Sequence, residues 1–363
     1  MAAMSKPSLR QRFPWSGRRS GFFGALSLTL LLSSCSFIGN EDAPLSAVEP
    51  RGPFAQQIDD LFWPVFWIAV GVFVVVQGAL VYAAIAYRDR PGRSEPKQIH
   101  GNTKLEITWT VIPALILASI AIPTVRTVFD LSECSDDAMT IEITGHQWWF
   151  EYDYPGLDIE TANVMVMPAG EEICAVMTSD DVLHNFWVPA LNGKRYLVPG
   201  QETILRLEAF EPGEYWGHCA EFCGLSHSLM RARVQAVSPE DWERWVADQQ
   251  AVAEAPEEGT PAFEGLQIYR NLCTSCHTVD YGEDSEFTNI RTDSQFRGPN
   301  LTHFASRNVF AGAYLPYEGL SYDQALEQWL ANPPAVKPGS FMPNLGLTQD
   351  EIDALQAWLA TLE

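Results

Sequence analysis

Residues 217–230 read GHCAEFCGLSHSLM, with Cys219, Cys223, His218, His227 and Met230 in one short run. Zinc, a disulfide loop and copper are the three readings. Zinc takes four Cys or His ligands at close spacings, and no second histidine lies at that spacing after His227; Met230 stands there instead. Thiolate, imidazole and thioether together are the soft set that copper selects. A single blue copper needs one Cys, two His and a Met, so one thiolate is left over. Two thiolates can instead bridge two copper ions, each completed by its own histidine and one weaker ligand. That arrangement predicts a second histidine from another loop, with His146, His184 and His218 as candidates. His218 adjoins Cys219, and strand geometry points it away. His184, in SDDVLHNFWVPAL, has the best position.

The surrounding sequence predicts a β-rich domain. MTIEITG, WWFEYDY, NVMVMPAG, EEICAVMTS, NFWVPAL and ETILRLEAF are short alternating or β-branched segments separated by turn residues. They suggest a sandwich or Greek-key barrel over residues 131–237. Residues 238–260 read as a short helix followed by an Ala/Glu/Pro linker. From 261 to 363 the pattern is helical. Thr348 and Glu351 make a capping box before a helix with Ile352, Leu355, Leu359 and Leu362 on one face.

Within that last region, CTSCH at Cys273–His277 is the C-x-x-C-H haem-attachment pattern. The alternatives are a redox pair, which wants a βαβ setting, and a zinc half-site, for which no further Cys follows. After His277 the only Met is Met342 and the only His is His303. Met342 is the expected second axial ligand, since His/Met ligation suits electron transfer. His303 reads as a surface histidine. Residues 261–363 resemble class I cytochrome c, and GPNL at Gly298–Leu301 matches that family's loop. The resemblance implies that the Pro299 carbonyl holds the His277 ring.

The N-terminal part predicts a membrane anchor. Lys6, Arg10, Arg12, Arg18 and Arg19 precede the apolar GFFGALSLTLLL and then LSSC, the build of a secretory signal over 1–34. The LSSC run resembles the bacterial lipoprotein cleavage box, with Cys35 as the lipidated first mature residue; the alternative is an uncleaved first helix. Two apolar runs, about 61–87 and 105–127, are long enough to span a bilayer. Between them lie Arg88, Arg90, Arg93, Lys97 and Lys104 against Asp89 and Glu95. The positive-inside rule puts this loop in the cytoplasm and everything after about residue 130 on the outer face. Cys134 and Cys174 remain after the other cysteines are assigned, and an oxidising compartment predicts a disulfide between them; two free thiols are the alternative. The net charge of −23, from 46 acidic and 23 basic side chains, excludes nucleic acid as a partner.

C-x-E-x-C-x-x-x-H-x-x-M, with DVLHNFWVP upstream, resembles the binuclear copper A site of cytochrome c oxidase subunit II. The two spans, GHQWWFEYDYP and VPG resemble that family as well, and the fused haem domain resembles its caa-type form. The fold class implied is a multidomain membrane protein: a transmembrane hairpin (35–130), a cupredoxin-like sandwich and an all-α cytochrome domain. The resemblance implies bridging by Cys219 and Cys223, one copper on each of His184 and His227, and weak ligation by Met230. It assigns the Glu221 carbonyl to copper and its side chain to a magnesium shared with subunit I. It makes Trp148 the surface aromatic for electron input, the alternative being an interior or interface Trp. It makes Glu106 an acid at the mouth of a proton pathway, although the helix dipole alone favours a carboxylate there. Subunit I, other oxidase subunits, and a cytochrome c or cytochrome bc complex as donor are the implied partners. The implied function is electron delivery to subunit I for oxygen reduction coupled to proton translocation. A nitric oxide reductase subunit and a free-standing membrane-anchored carrier are the alternatives.

Overall fold

The computed structural model describes residues 44–88, 92, 98–283, 285–287, 297–317 and 319–363. The signal segment, Cys35 and most of the basic loop lie outside the described residues. Two long apolar helices come first, α1 (Pro53–Ala86) and α2 (Thr103–Asp130). Apolar side chains such as Val74, Val75, Leu115 and Leu117 are exposed along them, as on segments whose surroundings are lipid or another apolar helix. Both helices outrun the expected spans. With 34 residues at ~1.5 Å each, α1 exceeds a bilayer core of ~30 Å.

The extra turns of α1 leave the apolar run and meet the sandwich. Arg51 N–H donates to Ala190 O (2.7 Å) and Ala55 N–H to Leu191 O (3.1 Å). Phe54 is buried beneath the Arg206 guanidinium, 4.3 Å from its ring centre. At the other end of the hairpin, α2 opens with Asn102 accepting from Leu105 N–H at 3.2 Å. The disulfide Cys134–Cys174 then joins the chain just after α2 to a sandwich strand.

The sandwich has ten strands: β1 (Met139–His146), β2 (Trp149–Tyr154), β3 (Ile159–Ala162), β4 (Val164–Pro168), β5 (Ile173–Ser179), β6 (His184–Trp187), β7 (Lys194–Leu197), β8 (Thr203–Leu207), β9 (Gly213–Cys219) and β10 (Arg231–Val237). They form two five-stranded sheets, β3-β2-β1-β5-β8 and β4-β10-β9-β6-β7. Pairs β1/β5 and β4/β10 run parallel, and the other pairs are antiparallel. Six of the ten strands match the segments expected from sequence; β3, β7, β9 and β10 are additional. Ile141, Ile143, Tyr152, Met165, Ile173, Met177 and Phe186 fill the space between the sheets. Strand β2 is buried on both faces. One face meets this core, and the other lies under the C-terminal domain, where Arg297 reaches Glu151 (3.3 Å).

Helix α3 (Pro239–Gln249) follows, capped by Ser238, and packs Trp242 and Trp245 against Tyr154. The cytochrome-like domain comprises α4 (Pro261–Leu272), α5 (Tyr322–Ala331), the short α6 (Pro333–Val336) and α7 (Gln349–Leu359). The Thr348–Glu351 capping box is present, and Ile352, Leu355, Leu359 and Leu362 are all buried. His303 corrects the expectation of a surface histidine. It is 4% exposed, with Nδ1 bonded to Glu363 O (2.7 Å) and Nε2 to Gln249 O (3.0 Å). It ties the chain terminus to α3, a long-range contact that sequence spacing does not reveal.

Candidate copper and haem centres

The first site lies at one end of the sandwich. Cys219 closes β9, His184 opens β6, and the pairing Phe186↔Cys219 brings the two strands together. The loop after β9 carries Cys223, and a 3₁₀ turn (His227–Leu229) delivers His227 and Met230. The Cys219 and Cys223 sulfurs are 3.7 Å apart and not bonded to each other. Cys219 Sγ is 3.9 Å from His184 Nδ1 and 3.2 Å from Glu221 O. Cys223 Sγ is 3.6 Å from His227 Nδ1 and 3.9 Å from Met230 Sδ. Each sulfur thus faces both the other sulfur and one imidazole, the donor pattern for two bridged soft ions. Among the described residues, His184, Cys219 and Cys223 form a buried cluster of metal-ligating atoms.

The surroundings prepare these donors. The Cys219 thiol is held low, chiefly by the hydrogen bond from Cys223 and then by His184. Asp181 Oδ1 sits 2.7 Å from His184 Nε2, which leaves Nδ1 facing the sulfurs. Burial acts to lower the His184 pKa, but Asp181 and Cys219 together outweigh it and the net direction is up. Such a carboxylate behind a ligand histidine fixes its tautomer and orientation. Asp181, three residues before His184, is absent from the expected set; its place in SDDVLH was the signal. Of the rejected histidines, His218 turns to the Trp187 ring (5.2 Å) and His146 stacks on Trp149 (4.4 Å). Glu221 accepts from the Tyr196 hydroxyl, which raises the Tyr196 pKa.

The second site is a cavity in the C-terminal domain. Helix α4 ends at Leu272 and runs into Cys273, whose carbonyl accepts from Cys276 and His277 N–H (3.0 Å each). Both cysteines are free thiols, and burial pushes Cys273 up to about 11. The His277 ring lies 2.8 Å by Nδ1 from Pro299 O. A Cβ on Gly298 would stand 2.6 Å from that ring, so the loop reaches His277 only because residue 298 has no side chain. Cys273, Cys276, His277 and Met342 line one cavity. Arg307 lines it too, buried, its Nε without a hydrogen-bond partner. Free thiols, a held imidazole, a thioether and an unsatisfied cation fit a covalently bound haem with its acidic side chains.

Trp148 lies between the sites. The resemblance places it at the surface; in the structure only 6% of it is exposed, which corrects this to the alternative of an interface Trp. Its Nε1–H donates to Cys223 O (3.0 Å), and Phe341, next to Met342, stacks on its ring at 6.1 Å and 9°. The C-terminal domain is what covers it. Glu106 is elsewhere, exposed in the first turn of α2, with Oε1 accepting from Asn102 N–H (3.1 Å).

A membrane hairpin, a sandwich with a soft-metal site and a domain built for covalent haem define a membrane-anchored redox subunit. Residues 48–127 match the transmembrane domain family of cytochrome c oxidase subunit II. Residues 157–237 match that subunit's periplasmic domain family, and 262–363 match cytochrome c. The chain is 37% identical over 354 residues to cytochrome c oxidase subunit 2 of Alkalihalophilus pseudofirmus, covering 95% of this chain and 97% of that one. It is 32% identical over 299 residues to the subunit 2 of Bacillus sp. strain PS3, covering 76% and 80%. It is also similar to the crystal structure of the periplasmic domain of subunit II of cytochrome oxidase of Bradyrhizobium japonicum (28% identity, 33% of this chain, 97% of that one, TM-score 0.31). The chain belongs to the cytochrome c oxidase subunit II family and is a haem–copper oxidase subunit with a fused cytochrome c domain.

Proposed function

We propose that the chain passes electrons from its own C-terminal haem domain to a binuclear copper A centre in the sandwich, and onward to subunit I. When bound, the haem and the copper pair each supply reversible one-electron chemistry. Cys273 and Cys276 would hold the haem covalently, and His277 and Met342 would bind its iron. Cys219 and Cys223, His184 and His227, and Met230 with the Glu221 carbonyl would hold the copper pair. The observation that carries the reading is the unbroken series Met342–Phe341–Trp148–Cys223. It consists of a covalent link, a ring stack and a 3.0 Å hydrogen bond, and it joins a haem ligand to a copper ligand. Trp148, at the centre of this series, is itself buried.

The Glu221 carboxylate, held by Tyr196, is assigned to a magnesium shared with subunit I. Glu106 is assigned to a proton-pathway mouth on the cytoplasmic side. Cys35 carries the lipid anchor, and the sandwich and haem domains face outward. The donor to the haem is a cytochrome c or a cytochrome bc complex, and the acidic chain suits a basic one.

The test is time-resolved reduction of copper after photochemical reduction of the haem in the purified oxidase complex. Trp148→Leu should slow that step about tenfold or more, the equivalent of ~1.4 kcal/mol on the barrier, while both centres keep their spectra. An unchanged rate would reject the series through Trp148.

A further inference from the structure

Lys337 is the only lysine after Lys194, and it is 3% exposed. A buried ammonium is costly without partners. Its Nζ donates to two carbonyls, Trp148 O (2.5 Å) and Ala311 O (2.7 Å). One belongs to the sandwich and the other to the cytochrome domain. An apolar side chain would be easier to bury here, so the interior of the cytochrome domain gives no reason for a lysine. The reason lies in the junction.

We propose that Lys337 is a positioning residue for electron transfer between the two centres: it pins the Met342-bearing loop to the Trp148 carbonyl and so holds Phe341 on the Trp148 ring. This rests on the proposed electron route. One electron leaves the reduced haem and enters the copper pair, with no proton and no bond transferred. Its rate depends on separation, so a few ångströms of play between domains would slow it.

The contacts around Lys337 point to one clamp. Its neighbour Pro338 accepts from Ser226 Oγ at 2.6 Å, on the loop between Cys223 and His227. Gly312 N–H donates to Asn163 Oδ1 (2.9 Å), and Gly312 O accepts from Arg231 N–H (2.9 Å). A Cβ on Gly312 would lie 2.3 Å from Trp148 O and 2.4 Å from Lys337 Nζ. The two domains therefore meet backbone to backbone around the lysine, with no room for a side chain at 312. Valines 164 and 166 of the sandwich pack on Val309 and Ala313 beside it. Lys337 carries a buried charge into this seam, and it sits five residues from Met342.

The experiment compares wild type, Lys337→Met and Lys337→Gln in the full chain within its complex. Hydrogen exchange is followed at the Gly312 and Arg231 amides, whose partners lie across the seam, and at Leu266 and Leu355 inside the cytochrome domain. Lys337→Met should raise exchange at the seam amides about tenfold or more, the effect of losing a charged hydrogen bond, and leave the interior amides unchanged. In the same variant haem-to-copper transfer should slow by a similar factor and become dependent on solvent viscosity, because the loop must re-dock. Lys337→Gln, which keeps a donor, should fall between. Unchanged seam exchange and rate in Lys337→Met would overturn the proposal. If Lys337→Met also loosens the interior amides, Lys337→Gln decides: wild-type seam exchange and rate overturn the proposal, and intermediate values with a firm interior support it. If the wild-type haem does not reduce copper at all, the electron route itself fails, and the seam amides alone then judge the pin.

Discussion

At the scale of single residues, the copper site depends on groups behind the ligands. Asp181 holds His184 by its Nε2, so Asp181→Asn removes the charge that fixes the ring. Copper retention should fall roughly 10–100-fold, read by competition with a chelator; wild-type retention would show that Asp181 is dispensable. Two bridged ions also make a stoichiometric prediction. Metal analysis of the purified chain should give two copper atoms beside one haem. One copper per chain would contradict the pairing of Cys219 and Cys223 as bridges. Most of the ligands were legible in sequence because their spacing is set by one loop. Asp181 had only its place three residues before His184 as a signal, and Lys337 had none, since nothing in its local sequence says what it faces.

At the scale of elements, the junction between α2 and the sandwich rests on Arg206. It donates from Nε and Nη2 to the Glu172 carboxylate (2.8 Å each) and from Nη1 to Asp130 O at the end of α2 (2.5 Å). The Arg206 hydrogen bond holds the Glu172 carboxyl below its usual range. A carboxylate lowered by folding stabilises above its unfolded pKa, and that stability is lost as pH falls through the folded value. Acidification below the ordinary carboxylate range should therefore loosen this junction, and Glu172→Gln should abolish that pH dependence. The substitution should cost about 2 kcal/mol, as for hydrogen bonds to charged groups, measured by thermal unfolding of the chain at neutral pH. No change in either would remove Glu172 from the account. Strand alternation was readable for β1 and β5. It failed to give the two-sided burial of β2, whose outer face is covered by a domain more than a hundred residues later in sequence.

At the scale of the molecule, the cytochrome domain is seated over Trp148, so the aromatic that the resemblance put at the surface is closed to outside contact. On the proposed electron route, an external donor would then deliver to the haem domain. The sequence by itself determined the parts: two apolar helices, a β domain, a haem motif, and a soft ligand set too rich in thiolate for one ion. These follow from composition and short spacings, which act within a single element or loop. Only the tertiary structure decided how the parts meet. Burial of Trp148 and His303, the stack of Phe341, and the pin from Lys337 to the Trp148 carbonyl join residues up to 193 positions apart. Such contacts arise from the packing of finished domains, and no local periodicity encodes them.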